Sequence, residues 1–232
     1  ALGTTGTGQF DLAAVTGNVT IDLQNKAGAG AFDVIVYGNG TNVGFTDTSK
    51  FTVTNAPTSD RGAGAGLAFT STAVTYDAGY QAKTWAGTDG TNPPFWDVNT
   101  SENWTGGTDT LFFNGDSVTF DDNGSSTNVV VQGNVRVGNM TVNPDSPAND
   151  YNISGGNITI DGTMTLGGGN TTTTSGGNDI VISSRIIGDG SVLVADGDTI
   201  TDAGQNSVTL SGNNAYTGGT VIGEGRLSIK NN

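Results

Sequence analysis

From Val129 to Ile229 the sequence never holds one residue character long enough for a helix. Pieces of a few residues rich in Val, Ile, Leu and Met alternate with clusters of Gly, Asn, Asp and Thr. The pieces are Val129–Val131, Val135–Val137, Met140–Val142, Ile158–Ile160, Met164–Leu166, Ile180–Ile182, Ser191–Val194, Val208–Leu210, Thr220–Ile222 and Arg226–Ile229. Apolar runs this short, punctuated by turn residues, predict short strands joined by tight turns. The pieces at 158 and 164 recur at 180 and 186, about 22 residues on, a period in the range of stacked repeats. Stacked strands each add about 4.8 Å, so about 20 residues per turn of chain predicts 11 or 12 layers, near 55 Å, if the whole chain stacks.

Composition sharpens this. The chain carries 38 Gly and only 13% charged residues, against the quarter usual in globular domains. Regularly recurring Val, Ile, Leu and Phe argue against a structureless Gly-rich chain. There is no His and no Cys, which excludes Ser-His-Asp and Cys-His nucleophiles, imidazole or thiolate zinc sites, and disulfides. Net charge is −14, and the cations Lys26, Lys50, Lys83, Lys230, Arg61, Arg136, Arg185 and Arg226 are scattered. Nucleic acid is a poor partner for such a chain, because neutralising phosphates needs clustered cations. No apolar run approaches the roughly 20 residues of a membrane helix. No signal peptide opens the sequence, which reads as a mature form or an excerpt.

Three regions follow from the pattern. Residues 1–84 carry candidate strands at Val19–Leu23, Phe32–Tyr37, Phe51–Thr54, Leu67–Thr70 and Ala73–Tyr76, with Gly-rich turns at Ala27–Ala31 and Gly62–Gly66. They read as further stacked strands or as a small sandwich-like β piece. Residues 85–124 hold all three tryptophans, Trp85, Trp96 and Trp104, with Phe95, Phe112, Phe113 and Phe120. Residues 125–232 are the run of short strands, with longer loops expected at Asn143–Tyr151 and Thr174–Ile180.

The stretch Leu210-Ser-Gly-Asn-Asn-Ala-Tyr-Thr-Gly-Gly-Thr-Val-Ile-Gly-Glu-Gly-Arg-Leu-Ser-Ile229 resembles the autotransporter-associated β-strand repeat, or passenger-associated transport repeat, of secreted bacterial β-helices. Leu210, Ser211, Gly212, Asn214, Tyr216, Thr217, Gly218, Gly219, Thr220, Gly225, Leu227 and Ile229 match at the repeat's own spacing. Trp96-Asp-Val-Asn-Thr-Ser-Glu-Asn-Trp104, followed by Asn114-Gly-Asp-Ser-Val-Thr-Phe-Asp-Asp122, is similar to the opening of a module in long surface proteins that bear this repeat. The resemblance implies a right-handed parallel β-helix over 125–232. It implies a structural role in a secreted fibre at the surface of a Gram-negative bacterium, and no cofactor or catalytic residue. It also implies an export role, in doubt here because no membrane β-barrel accompanies the repeat. Residues 225–232 joined to Ala1-Leu-Gly3 complete one more copy of the repeat's pattern. The expected partner is therefore another copy of the same unit, head to tail, in tandem or as separate stacked chains.

Other readings stay beside this one. Trp85, Trp96 and Trp104 could stack on sugar rings, as in an adhesin for surface glycans, or seal a module junction by burying large aromatic areas. Asp121-Asp122-Asn-Gly124, Asp189-Gly-Ser, Asp196-Gly-Asp198 and Ser175–Ile182 could offer oxygens to Ca²⁺, or simply form turns. Parallel β-helices include polysaccharide lyases and glycosidases built on carboxylate pairs, but Glu is confined to Glu102 and Glu224. Asn-x-Ser/Thr triplets at Asn18, Asn99, Asn103, Asn123, Asn139, Asn152, Asn157 and Asn170 could mark glycosylation, or Asn could stack in amide ladders between layers.

Overall fold

The computed structural model describes residues 19–22, 31–36, 51–54, 61, 66–69, 73–91, 94–144, 149–167, 179–195, 207–223 and 225–230. Among them there are strands and turns but no helix, so the fold is all-β. No helix is long and apolar enough to cross a membrane. The chain divides into two compact units, one of Ala1–Lys26 with Gly30–Gly79 and one of Tyr80–Asn232 with Ala27–Ala29.

In the first unit β1 (Val19–Asp22) pairs parallel with β3 (Phe51–Thr54), Val19 opposite Phe51 and Asp22 opposite Thr54. A separate antiparallel sheet places β5 (Ala73–Asp77) between β2 (Ala31–Val36) and β4 (Gly66–Phe69). Parallel stacking thus describes only part of this unit. The Gly-rich pieces 27–30 and 62–65 lie outside the described residues.

The second unit opens with β6 (Ala82–Trp85), β7 (Phe95–Trp96), β8 (Trp104–Thr105) and β9 (Ser117–Phe120). The long β10 (Asn128–Val137), β11 (Met140–Val142), the long β12 (Tyr151–Ile160) and β13 (Thr163–Leu166) follow. The chain continues through β14 (Asp179–Ile182), β15 (Arg185–Gly188), β16 (Ser191–Val194), β17 (Ser207–Leu210), β18 (Ala215–Tyr216), β19 (Thr220–Ile222) and β20 (Arg226–Ile229). One sheet runs β8-β6-β9-β11-β13-β16-β19; the other has β7, β10 and β12, with β14-β17-β20 and β15-β18 following from β12. In these two sheets every pairing is parallel except β6 with β8. The second unit includes β6, which pairs with β9.

Register shows what the sequence period concealed. Ile158 lies opposite Ile186, and Ile180 opposite Tyr151, so the pieces about 22 residues apart are not neighbours. The step between neighbours lengthens along one ladder, from 22 residues (Ser117 to Asn139) to 24 (Asn139 to Thr163) and 28 (Thr163 to Ser191). Val129–Val131 and Val135–Val137 join into one strand, as do Tyr151–Ile153 and Ile158–Ile160. Their register shifts between Val131 and Asn134. Gly133 (φ 73°) and Gly155 (φ 91°) occupy the left-handed region there, the backbone state that bends a bulged strand and that glycine adopts freely.

Parallel in-register pairing stacks like on like. Val118, Met140, Met164 and Val192 form one column, and Phe120, Val142, Leu166 and Val194 the next. In the other sheet Val129, Ile153, Ile182 and Leu210 do the same. These side chains are buried and form a single apolar core. Each is worth about 1.5–3 kcal/mol of burial, which explains why alternation within each strand is so strict. On the outer face, Asn152 Nδ2 donates to Asn128 Oδ1 at 3.5 Å and Asn157 Nδ2 to Asn134 Oδ1 at 2.6 Å, short amide ladders of the kind expected from the Asn content.

Stacking also brings like charges together. Asp161 pairs with Arg136 at 2.7 Å, yet its carboxyl is held above the usual aspartate range. Burial is the main cause, Arg136 opposes it, and Asp189 adds repulsion. A carboxyl whose folded pKa is raised contributes stability below its unfolded pKa, and that contribution is lost as pH rises through the folded pKa. Asp161→Asn is therefore expected to raise the melting temperature at pH 7, and the gain should vanish below the aspartate range; thermal melts at pH 3 and pH 7 check this. Truncating a column is the larger effect: Met164→Ala should cost about 2–5 kcal/mol in urea unfolding. Exposed Val221→Ala should stay within about 0.5 kcal/mol.

Candidate functional site

The repeat-like stretch builds the last step of both sheets, and its residues hold that step to the one before. Leu210 is buried over Ile182. Gly212 lies so close to Ser184 that a Cβ would strike the Ser184 carbonyl oxygen. Asn214 Oδ1 accepts from Ile186 N at 2.9 Å, tying the turn to the preceding strand. Tyr216 sits opposite Gly188, packs against the core, and its hydroxyl shares a 2.6 Å hydrogen bond with Thr220 Oγ1. Thr217 N donates to Gly188 O at 2.9 Å, and Gly218 N to Gly190 O at 3.1 Å.

Gly218 ends a column with Gly138, Gly162 and Gly190. Gly162 N donates to Gly138 O at 2.6 Å, and Cβ atoms at 162, 190 and 218 would each collide with a carbonyl of the step before. Gly219 turns with φ 84° and its carbonyl accepts from Val192 N at 3.0 Å. Thr220 then lies opposite Val192, Gly225 turns with φ 83°, and Leu227 and Ile229 lie opposite Val208 and Leu210.

At this step the buried columns reach solvent. Ile222 continues Val194 but is 55% exposed, and Ile229 continues Leu210 but is 58% exposed; Val221 is 59% exposed. Among the described residues β19 pairs only with β16 and β20 only with β17.

The opposite end of the strand order is closed. Trp85, Trp96 and Trp104 are 0%, 0% and 1% exposed. They pack with Phe112, Phe120 and Tyr151 at ring-centroid separations from 5.1 to 5.7 Å, mostly edge to face. The three indoles thus lie inside the core, where a sugar could stack on them only after the module opened. Trp85 Nε1 donates to Ser126 O at 2.8 Å. Trp96 and Trp104 Nε1 are buried without a hydrogen-bond partner among the described residues. Tyr151 donates to Asp121 O at 2.6 Å, and burial, with Asp121 and Asp122, raises its phenol well above the ordinary range.

Polar side chains stitch this module. Buried Asn103 donates to Phe95 O at 2.9 Å and accepts from Asp89 N at 2.7 Å, while its carbonyl receives Ala86 N and Gly87 N. Asp97 accepts from Ser101 N and Oγ at 2.8 and 2.7 Å, closing the turn that contains Asn99 at φ 55°. Sequence reasoning singled out the tryptophans but missed Lys83. Lys83 stands opposite Val118, first in the Met140–Met164 column, and is 1% exposed. Its ammonium meets Gly106 O at 2.8 Å, Asp109 O at 2.6 Å and Asp109 Oδ1 at 2.8 Å. The signal was a polar residue in the alternation Ala-Lys-Thr-Trp, where Lys83 and Trp85 share one face.

No group of three or more metal-ligating side chains occurs among the described residues. Asp121 spends its carboxylate on Asn123, accepting from its N and Nδ2 at 2.9 and 3.0 Å in a turn. Asp196–Asp198 and Ser175–Asn178 lie outside the described residues. Glu102 is exposed, and Glu224 lies outside them. Among the described residues the aromatic residues at one end of the strand order are buried, whereas Ile222 and Ile229 at the other are exposed. No family model, no curated protein and no solved structure matches the chain.

Lys83 sets a test of the closed end. Asp109→Ala should destabilise by about 2–3 kcal/mol, less than a fully buried pair because Asp109 keeps some water. Lys83→Met with Asp109→Asn should recover most of that loss, since Met continues the column. Urea unfolding of the two variants beside the parent protein gives the comparison.

Proposed function

We propose that this chain is a structural unit of a secreted, cell-surface fibre, and that its second unit is a right-handed parallel β-helix. The single observation that carries the reading is the course of the buried columns. They run in register through successive parallel strands, Val118 to Met140 to Met164 to Val192 in one sheet and Val129 to Ile153 to Ile182 to Leu210 in the other. In a repeat structure each layer buries its faces against its neighbours, so further units of the same kind would continue these columns. The next step comes from tandem repetition or from a separate copy of the unit.

Stiffness is the function such a stack performs. Backbone hydrogen bonds between strands run along the stacking direction, and the corners at Gly162, Gly190 and Gly218 lie against the backbone of the step before. The acidic surface, net −14, keeps neighbouring fibres apart. An adhesin reading based on the tryptophans has no supporting observation, because all three are enclosed.

A polypeptide carrying two copies of these 232 residues in tandem tests the reading. Negative-stain electron microscopy should show one continuous stiff particle. Two separate particles swinging on a flexible tether would overturn it.

A further inference from the structure

We infer that the outer face of the sheet β8-β6-β9-β11-β13-β16-β19 is a binding surface for ice. The inference stands apart from the fibre reading above, which neither supports it nor needs it. Alternation turns every second residue of these strands outward. Val118, Met140 and Met164 are buried, and Thr119, Thr141 and Thr165 beside them are half-buried. Pairing then lines the outward residues up. Thr84 lies opposite Thr119, Thr119 opposite Thr141 and Thr141 opposite Thr165, and the antiparallel strand β8 sets Thr105 opposite Thr84. Threonines on neighbouring strands thus form one row. No register shift interrupts it from β6 to β13, and steps of about 4.8 Å make it about 19 Å long.

A second row runs beside it, two residues back along each strand and about 6.6 Å away. It holds Ala82, Ser117, Asn139, Thr163 and Ser191, and it is locked from within. Ser117 Oγ accepts from Asn139 N at 3.2 Å, Asn139 Oδ1 accepts from Thr163 N at 2.9 Å, and Thr163 and Ser191 share a hydrogen bond at 3.4 Å. The threonine row differs. Thr105 Oγ1 donates to Thr84 O at 3.3 Å, but the hydroxyls of Thr84, Thr119, Thr141 and Thr165 bond no other described residue. Surface hydroxyls without a protein partner hold water instead. Neither row carries a charge, although the chain as a whole is at −14. The charges sit on the other sheet, at Arg136, Asp179, Arg185 and Arg226.

What such a face recognises follows from its chemistry. Each threonine presents a hydroxyl that hydrogen-bonds water and a methyl that water can only surround. Repeated at fixed spacing in two directions on a hydrogen-bonded ladder, these groups order the adjoining water into a lattice rather than a mobile film. A crystalline surface of water shares this two-dimensional repeat and asks for no charge. A soluble glycan is a poorer fit, because the tryptophans that could stack on sugar rings are enclosed. Face-to-face packing of two copies would take the free hydroxyls out of water and bring together two chains of net charge −14.

Ice-affinity partitioning of the whole chain is the test. Ice is grown slowly from a dilute solution, and the protein in the ice is compared with that left in the liquid. Enrichment in the ice is the expected result. Thr141→Tyr raises a ring from the middle of the row, and Thr119→Tyr does so one strand away. Tyrosine suits strands, and unchanged thermal melts confirm that both variants are folded. Both should be excluded from the ice like a non-binding control protein. Thr209→Tyr, on the outer face of the other sheet, should enter the ice as the parent does. Exclusion of the parent overturns the inference. So does equal behaviour of the three variants, whether all enter the ice or none does. None of these outcomes bears on the tandem polypeptide, so the fibre reading stands or falls separately.

Discussion

In-register parallel pairing is the constraint on which the second unit depends. When a strand lies over its neighbour without offset, each side chain stands on the residue at the same position of the preceding step. The apolar position of one strand therefore has to match the apolar position of the next, and the result is columns such as Val118, Met140, Met164 and Val192. The chain's strict alternation, its aliphatic bias and its low charge all follow from that geometry. So does the electrostatic penalty at Asp161, where stacking brings Asp189 close enough to oppose ionisation.

The glycines answer the same constraint at the corners. Among the described turns, those at Gly138, Gly162, Gly190 and Gly218 approach one another backbone to backbone. At Gly162, Gly190 and Gly218 the carbonyl of the step before occupies the place a Cβ would need. The repeat-like stretch near the end of the chain is thus a set of stacking requirements written in sequence: Gly212 and Gly218 for close approach, Asn214 for a side-chain bond across steps, and Leu210 and Leu227 for the core. That is a physical account of the pattern independent of any relative.

Strand pieces were legible where short apolar alternation is bounded by turn residues: Met140–Val142, Ser191–Val194, Thr220–Ile222 and Arg226–Ile229 were read to the residue. Register was not. Ile158 and Ile180 look alike and recur at the expected period, but the chain needs 28 residues, not about 22, to come from Thr163 to Ser191. Two-residue strands such as β7, β8 and β18 left no periodic trace, and β15 had been noticed only through Ile186. The aromatic module was visible as a composition shift, but whether its indoles face water or core depends on pairing with β9 and β10, which no local pattern encodes. The buried Lys83 was hidden for the same reason: a lysine in alternation reads as a surface residue until its ring of acceptors is assembled from Gly106 and Asp109.

The variable spacing between steps has a further consequence. Neighbours 22, 24 and 28 residues apart stack equally well, so the strand fixes the phase while the connecting segment is free to change length. Insertions there are invisible to the core, whereas a single residue added inside a strand inverts which face is apolar. Evolution can therefore decorate such a chain at its connections, or lengthen it by whole steps, without renegotiating the interior. Changes of length at the connections would thus leave the interior columns as they are.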